Sequence, residues 1–91
     1  EIHTGEYCDA TSQAERDHEF DRIEKAVHKG RDMGLFVAAG HGLDYNNTEA
    51  ICTIEGIEEL NIGHSIIARA ILVGLDHAVR EMRDIMDSSS S

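Results

Sequence analysis

Hydrophobic residues along the chain alternate between short continuous runs and helical stripes, and this predicts strand, helix, strand, helix, strand, helix. The first strand ends near Thr4, and Gly5 opens a polar connection through Ser12. Ser12-Gln13-Ala14-Glu15 has capping-box spacing, which lets side chains satisfy the first helical N–H groups. Phe20, Ile23, Val27 and Gly30 then recur at i, i+3, i+7 and i+10, a narrow stripe able to face a sheet. Gly34 stands where a helix end calls for positive φ. Leu35-Phe36-Val37-Ala38-Ala39 is apolar without alternation, the pattern of a strand covered on both faces in a parallel sheet. Gly40-His41-Gly42 ends that run. Tyr45-Asn46-Asn47 supplies a turn and an N-cap for a helix over 48–54, and Leu60-Asn61-Ile62 forms a short third strand. After Gly63-His64-Ser65 a helical stretch covers 66–86, divided at Gly74. Its first part, 66–71, is short and apolar; its second places Leu75, Ala78, Val79, Met82, Ile85 and Met86 on one face. Three βα units in succession make an α/β fold with parallel strands and right-handed crossovers. No repeat at a solenoid period interrupts them.

Ninety-one residues make at most one domain, 1–91, with a limited core. Eighteen acidic against eight basic residues give a net charge of −10, whose field opposes nucleic-acid and anionic-membrane partners. The chain has no Trp and few aromatics, so it offers no stacking platform for bases. A small phosphorylated ligand stays compatible with that charge, because backbone N–H groups at a helix start hold an anion locally. Most of the acidic residues read as solvated helix faces. Cys8 and Cys52 have no CxxC spacing; they read as free thiols in a reducing cytoplasm, with a single disulfide as the alternative. No apolar run has membrane-span length, and no signal peptide opens the chain. Ser88-Ser89-Ser90-Ser91 reads as a polar fray.

Candidate chemistry gathers where strands end: Glu1, His3 and Thr4, then Gly40-His41-Gly42, then Gly63-His64-Ser65. In parallel α/β folds that edge is where ligands bind. Gly40-His41-Gly42 serves either as a tight turn or as a loop that brings backbone to a ligand with an acid/base imidazole. Gly63-His64-Ser65 is either an ordinary glycine turn or an anion cradle at the start of an apolar helix. Glu1 and His3 share strand parity and point to one face, as pocket residues or as solvated groups near a chain end. His18, His28 and His77 fall on helices as surface or packing residues. No HExxH or His-x-His spacing occurs, so neither a metal site nor a cofactor is expected.

Three blocks carry a resemblance across almost the whole chain: Glu1-Ile2-His3-Thr4-Gly5, the segment Ala39-Gly40-His41-Gly42-Leu43-Asp44-Tyr45-Asn46-Asn47, and the segment Glu59-Leu60-Asn61-Ile62-Gly63-His64-Ser65-Ile66-Ile67-Ala68-Arg69-Ala70. Together they resemble the pyridoxine 5′-phosphate synthases of bacterial vitamin B6 biosynthesis; the third block is the most specific. The resemblance implies a (β/α)8 TIM barrel in which this chain supplies strands six to eight, the first five units being absent from it. It implies a transferase-type, ring-closing condensation of 3-amino-2-oxopropyl phosphate with 1-deoxy-D-xylulose 5-phosphate, releasing inorganic phosphate and water. It makes His41 the proton donor and Glu1 a transition-state-stabilising carboxylate, and it puts phosphate contacts at Gly42, Gly63 and His64. It also implies a homo-oligomer, an octamer of barrels. Glu6-Tyr7-Cys8-Asp9 departs from the family's usual forms. Three units cannot close a barrel, so this chain alone is expected to be inactive, with the N-terminal remainder as its partner. The alternative is a non-catalytic phosphate-binding βα fragment that self-associates through open sheet edges. An aldolase-like barrel would need a Schiff-base lysine at a strand end, and Lys25 and Lys29 lie on a helix.

Overall fold

The long first helix begins where the capping signal places it. A computed structural model describes residues 1–89, with the side chain of Ser89 excepted. In it the Glu15 N–H donates to Ser12 Oγ (3.1 Å), and the Glu15 carboxylate reaches back to the N–H of Thr11 (3.3 Å) rather than that of Ser12. Helix α2 (Gln13–Asp32) then buries Ile23 and Val27 completely. It stops at Gly34, φ +76°, where the N–H of Gly34 bonds Arg31 O (2.9 Å) and that of Leu35 bonds Gly30 O (3.0 Å). These are the two bonds of a Schellman end.

Three parallel strands, β1 (Ile2–His3), β2 (Ala38–Gly40) and β3 (Glu59–Asn61), form one sheet in that order. Ile2 pairs with Ala39 and His3 with Gly40; Ala38, Ala39 and Gly40 pair with Glu59, Leu60 and Asn61. The remaining helices are α1 (Gly5–Cys8), α3 (Thr48–Cys52), α4 (His64–Val73) and α5 (Leu75–Ser89). Ile23, Val27 and Ile51 are fully buried, and Tyr7, Val37, Leu43 and Ile54 close the cluster around them. Burial of each large aliphatic contributes roughly 1.5–3 kcal/mol.

Several expected boundaries move. The connection 5–12 contains the single turn α1. β2 runs 38–40 rather than 35–39, and Leu35 and Phe36 are exposed, Phe36 at 67%. The ladder explains this: Val37 O takes the Glu58 N–H (2.8 Å), and no described strand lies opposite anything earlier. β3 sits one residue earlier than expected, in register with Ala38. α3 ends at Cys52, with the Thr53 hydroxyl on Ala50 O (2.6 Å), while Ile54 turns into the core. α4 starts at His64 and runs to Gly74, whose φ is +88°. On α5 only Ala78 and Met82 of the apolar face are buried, and Leu75 and Val79 stay exposed. α4 buries none of its residues. Ser88 and Ser89 continue α5 instead of fraying, while Ser90 and Ser91 lie outside the described residues. Among the described residues no helix is long and apolar enough to cross a membrane.

Candidate functional site

Parallel pairing brings the carboxyl ends of all three strands to one edge, and the chain reverses sharply there. His41 has φ +90° and Gly42 φ +79°. A non-glycine residue in this region costs on the order of 1–3 kcal/mol and persists only where its surroundings hold it. The holder is Thr4, which is fully buried. Its N–H donates to Gly40 O (2.8 Å), and its hydroxyl lies within reach of both Gly40 O (2.8 Å) and His41 O (2.7 Å). The Cys8 thiol also donates toward His41 O (3.7 Å). Gly42 is required by the fold itself, since a Cβ there would sit 3.0 Å from Cys8 Cβ.

Side chains then link the strand ends in pairs. The imidazoles of His3 and His41 stack, with centroids 4.2 Å apart and planes inclined by 26°. Asn61 Nδ2 donates to Glu1 Oε2, spanning β1 and β3 over Gly40, where an added Cβ would lie 2.8 Å from Asn61 Cβ. The Ser65 hydroxyl donates to Leu43 O (2.9 Å) and ties the start of α4 to the His41 loop. Glu1 and His3 both make their contacts at this edge, with Asn61 and His41 respectively.

The result is one open cleft of about 800 Å³. Its walls include His41, Gly42, Asn61, Gly63, His64 and Arg69; Glu1 reaches it only through Asn61. Gly63 is the N-cap of α4 and has no side chain to cap with, so the first-turn N–H groups carry no side-chain acceptor from it. Around Gly63 an added Cβ would meet nothing within 4 Å. Gly63 therefore borders open space within this chain. Arg69 lines the same cleft and grips Glu81 through two bonds of 3.1 Å each, and His77 Nε2 meets the same carboxylate (2.7 Å). Arg69 holds the Glu81 carboxyl below its ordinary range, and the bond to Glu81 raises the guanidinium in turn. The Tyr45 hydroxyl donates to Ala78 O (2.7 Å), and desolvation pushes that phenol up. The one carboxylate in the wall, Asp44, is occupied by the N–H groups of Asn46 (2.8 Å) and Asn47 (3.0 Å). Asn47 does precede α3 but caps nothing; its Oδ1 takes the Asp44 N–H (2.7 Å). The cleft wall thus carries one carboxylate, Asp44, and one guanidinium, Arg69, already paired with Glu81.

Of the sequence-predicted residues, His41, Gly42, Gly63 and His64 share this cleft, with Glu1 behind Asn61. Among the described residues no cluster of three His, Cys, Asp or Glu could hold a metal ion. Sequence reasoning passed over Thr4, Asn61 and Ser65 as individual actors. Asn61 carried a signal, as a polar residue between two apolar ones in a short strand. Thr4 and Ser65 were visible only as members of the strand-end groups, because the partners that define their roles lie 36 and 22 residues away.

The family model described as "Pyridoxal phosphate biosynthesis protein PdxJ" matches residues 1–88. The pyridoxine 5′-phosphate synthase of Syntrophotalea carbinolica is 57% identical over 86 residues, covering 94% of this chain and 36% of that protein. Its namesake in Synechococcus sp. is 57% identical over 89 residues, 98% of this chain and 37% of the relative. A third, in Alcanivorax borkumensis, is 57% identical over 88 residues, 97% and 36%. The chain spans about a third of the length of these curated relatives, matching their C-terminal part. At this identity over nearly its whole length, the chain belongs to the family of the pyridoxal phosphate biosynthesis protein PdxJ.

Proposed function

We propose that this chain supplies the C-terminal part of a pyridoxine 5′-phosphate synthase, as strands six to eight of a (β/α)8 barrel. The reaction is the condensation of 3-amino-2-oxopropyl phosphate with 1-deoxy-D-xylulose 5-phosphate, in a cytoplasmic homo-oligomer completed by the N-terminal units. His41 is the proton donor, suited to that work because an imidazole exchanges protons near neutral pH. The amides at Gly42, Gly63 and His64 hold a substrate phosphate, helped by the positive end of α4. Glu1 stabilises charge that develops in the transition state, with Asn61 orienting its carboxylate. The observation that carries this reading is the single cleft: His41 and the uncapped start of α4 face one space and are tied by the Ser65–Leu43 bond.

The test is formation of pyridoxine 5′-phosphate by this chain, alone and mixed with the N-terminal units. Turnover only on mixing supports the reading. His41→Ala should then abolish turnover with little change in folding, and near-normal turnover would remove His41 from proton transfer. Gly63→Val meets open space within the protein, so it should weaken phosphate-ligand binding while leaving the fold in place; unchanged affinity would reject the amide cradle. The exposed Phe36, Ile71 and Leu72 favour a second reading, a non-catalytic fragment that associates through open edges. Phosphate binding and self-association without turnover in any mixture would select it.

A further inference from the structure

We infer that His3 is a positioning residue for His41, holding its imidazole in one orientation by stacking; this rests on the proton-transfer role proposed for His41. The register dictates the encounter. His3 pairs with Gly40, one residue before the reversal at His41, so the side chain leaving β1 meets the one leaving β2. The rings lie 4.2 Å apart at 26°, a stacked pair slightly closer than the roughly 4.5–7 Å usual between aromatic centroids.

Two further features fix the pair. The Gly5 N–H donates to His3 Nδ1 (3.3 Å), so that nitrogen acts as an acceptor and His3 carries its ring proton on Nε2. Gly5 is also the floor on which both rings rest: a Cβ there would stand 2.6 Å from His3 Cε1 and 2.8 Å from His41 Cδ2. The His41 backbone is locked by Thr4, which leaves ring rotation as its main freedom. His3 removes that freedom on one face. The other consequence is chemical. Stacking covers a face of the ring and leaves its in-plane nitrogens free, so His3 fixes where the His41 nitrogens stand without blocking them.

The experiment uses the complete enzyme containing this C-terminal portion and compares His3→Ala, His3→Gln, His3→Phe and His41→Ala. Aromatic pairing of this kind is worth about a three- to tenfold effect, so His3→Ala should lower kcat by that factor and leave KM within about twofold. His3→Gln keeps an acceptor for Gly5 but no ring, and should behave like His3→Ala. His3→Phe keeps a ring over His41 and should return kcat to within about twofold of the unsubstituted enzyme. A merely structural role would not give this order, because the readout is the split between kcat and KM and its rescue by a non-titrating ring. Unchanged kcat in His3→Ala, beside an inactive His41→Ala, overturns the positioning role and leaves His41 in place. His3→Phe as slow as His3→Ala also overturns it. Full turnover in His41→Ala instead sinks the reading of His41 itself. Should His3→Ala fail to fold, the comparison of His3→Gln with His3→Phe decides alone.

Discussion

Gly5→Ala separates the site from the fold, because its effect on stability is modest and its effect on the paired imidazoles is large. Gly5 begins α1 and is not among the positive-φ glycines, so its backbone accepts alanine. At the first position of a single turn the gain is at most the roughly 0.5–1 kcal/mol of a helix interior. Against this, the new methyl would lie 2.6 Å from His3 Cε1 and 2.8 Å from His41 Cδ2. Carbon atoms settle at about 3.5–4.0 Å, so one ring must retreat by about 0.9 Å and the other by about 0.7 Å. Both belong to exposed side chains and can swing away, and a 30° departure from a rotamer costs about 0.5–1.5 kcal/mol. With two rings displaced, the net loss is at most about 3 kcal/mol, so the melting temperature should fall by no more than about 10 °C. Catalysis should not be spared, since misplacement by about 1 Å costs on the order of 10²-fold in rate. Turnover and thermal unfolding of the complete enzyme, measured side by side, decide it. Normal turnover would refute the claim that the paired imidazoles must sit where they do, and a collapse in melting temperature would show that Gly5 serves the fold instead.

Three further outcomes follow from local interactions. Ser12→Ala removes the side-chain acceptor for the Glu15 N–H and should cost about 1 kcal/mol, read as a lower urea midpoint; an unchanged midpoint would mean the cap contributes nothing. Glu81→Gln should destabilise most at neutral pH. The Glu81 carboxyl is held low by Arg69, so its contribution is present above the unfolded value of about 4.3 and disappears as pH falls below it. The gap between variant and parent should therefore close in acid, and a pH-independent gap would refute the ion pair as its source. Burial raises the thiols of Cys8 and Cys52, so their contribution is present below the unfolded value of about 8.5 and lost as pH rises past it. Iodoacetamide should label both more slowly in the folded protein than in urea, and equal rates would contradict the burial.

Local signals were legible and long-range ones were not. The cap at Ser12, the stop at Gly34 and the break at Gly74 each depend on residues within one turn, and the structure places all three where the residue types ask for them. Ile23 and Val27 follow from helical spacing alone. Strand limits depend on which residues stand opposite, and Leu35-Phe36 shows the consequence: the run is apolar throughout, yet pairing begins only after it. The site follows the same division. Glycines and histidines at strand ends were visible as types in a pattern, whereas the contacts that turn them into one arrangement join Thr4 to His41, Glu1 to Asn61 and Ser65 to Leu43. Tertiary register creates those pairs, and register has no local signature.

The hydrophobic positions that stay uncovered make an argument of their own. Leu35 and Phe36 lie before β2, Ile67, Ile71 and Leu72 on α4, and Leu75 and Val79 on α5; all are written into the sequence as buried types and all are exposed, Ile71 at 83%. Covering any one of them would contribute about 1.5–3 kcal/mol. β1 and β3 each present an unpaired outer edge among the described residues. Both features are compatible with a sheet wider than three strands. Under the proposed barrel, further strands on either side of this sheet would pair both edges and bury the apolar positions. The cleft would then lose its openness at the same step, because its missing wall lies beyond the strands that this chain provides. On that reading the isolated chain already holds the His41 orientation and the α4 anion cradle, and what the remaining units add is enclosure and the groups that face His41 across the bound substrate.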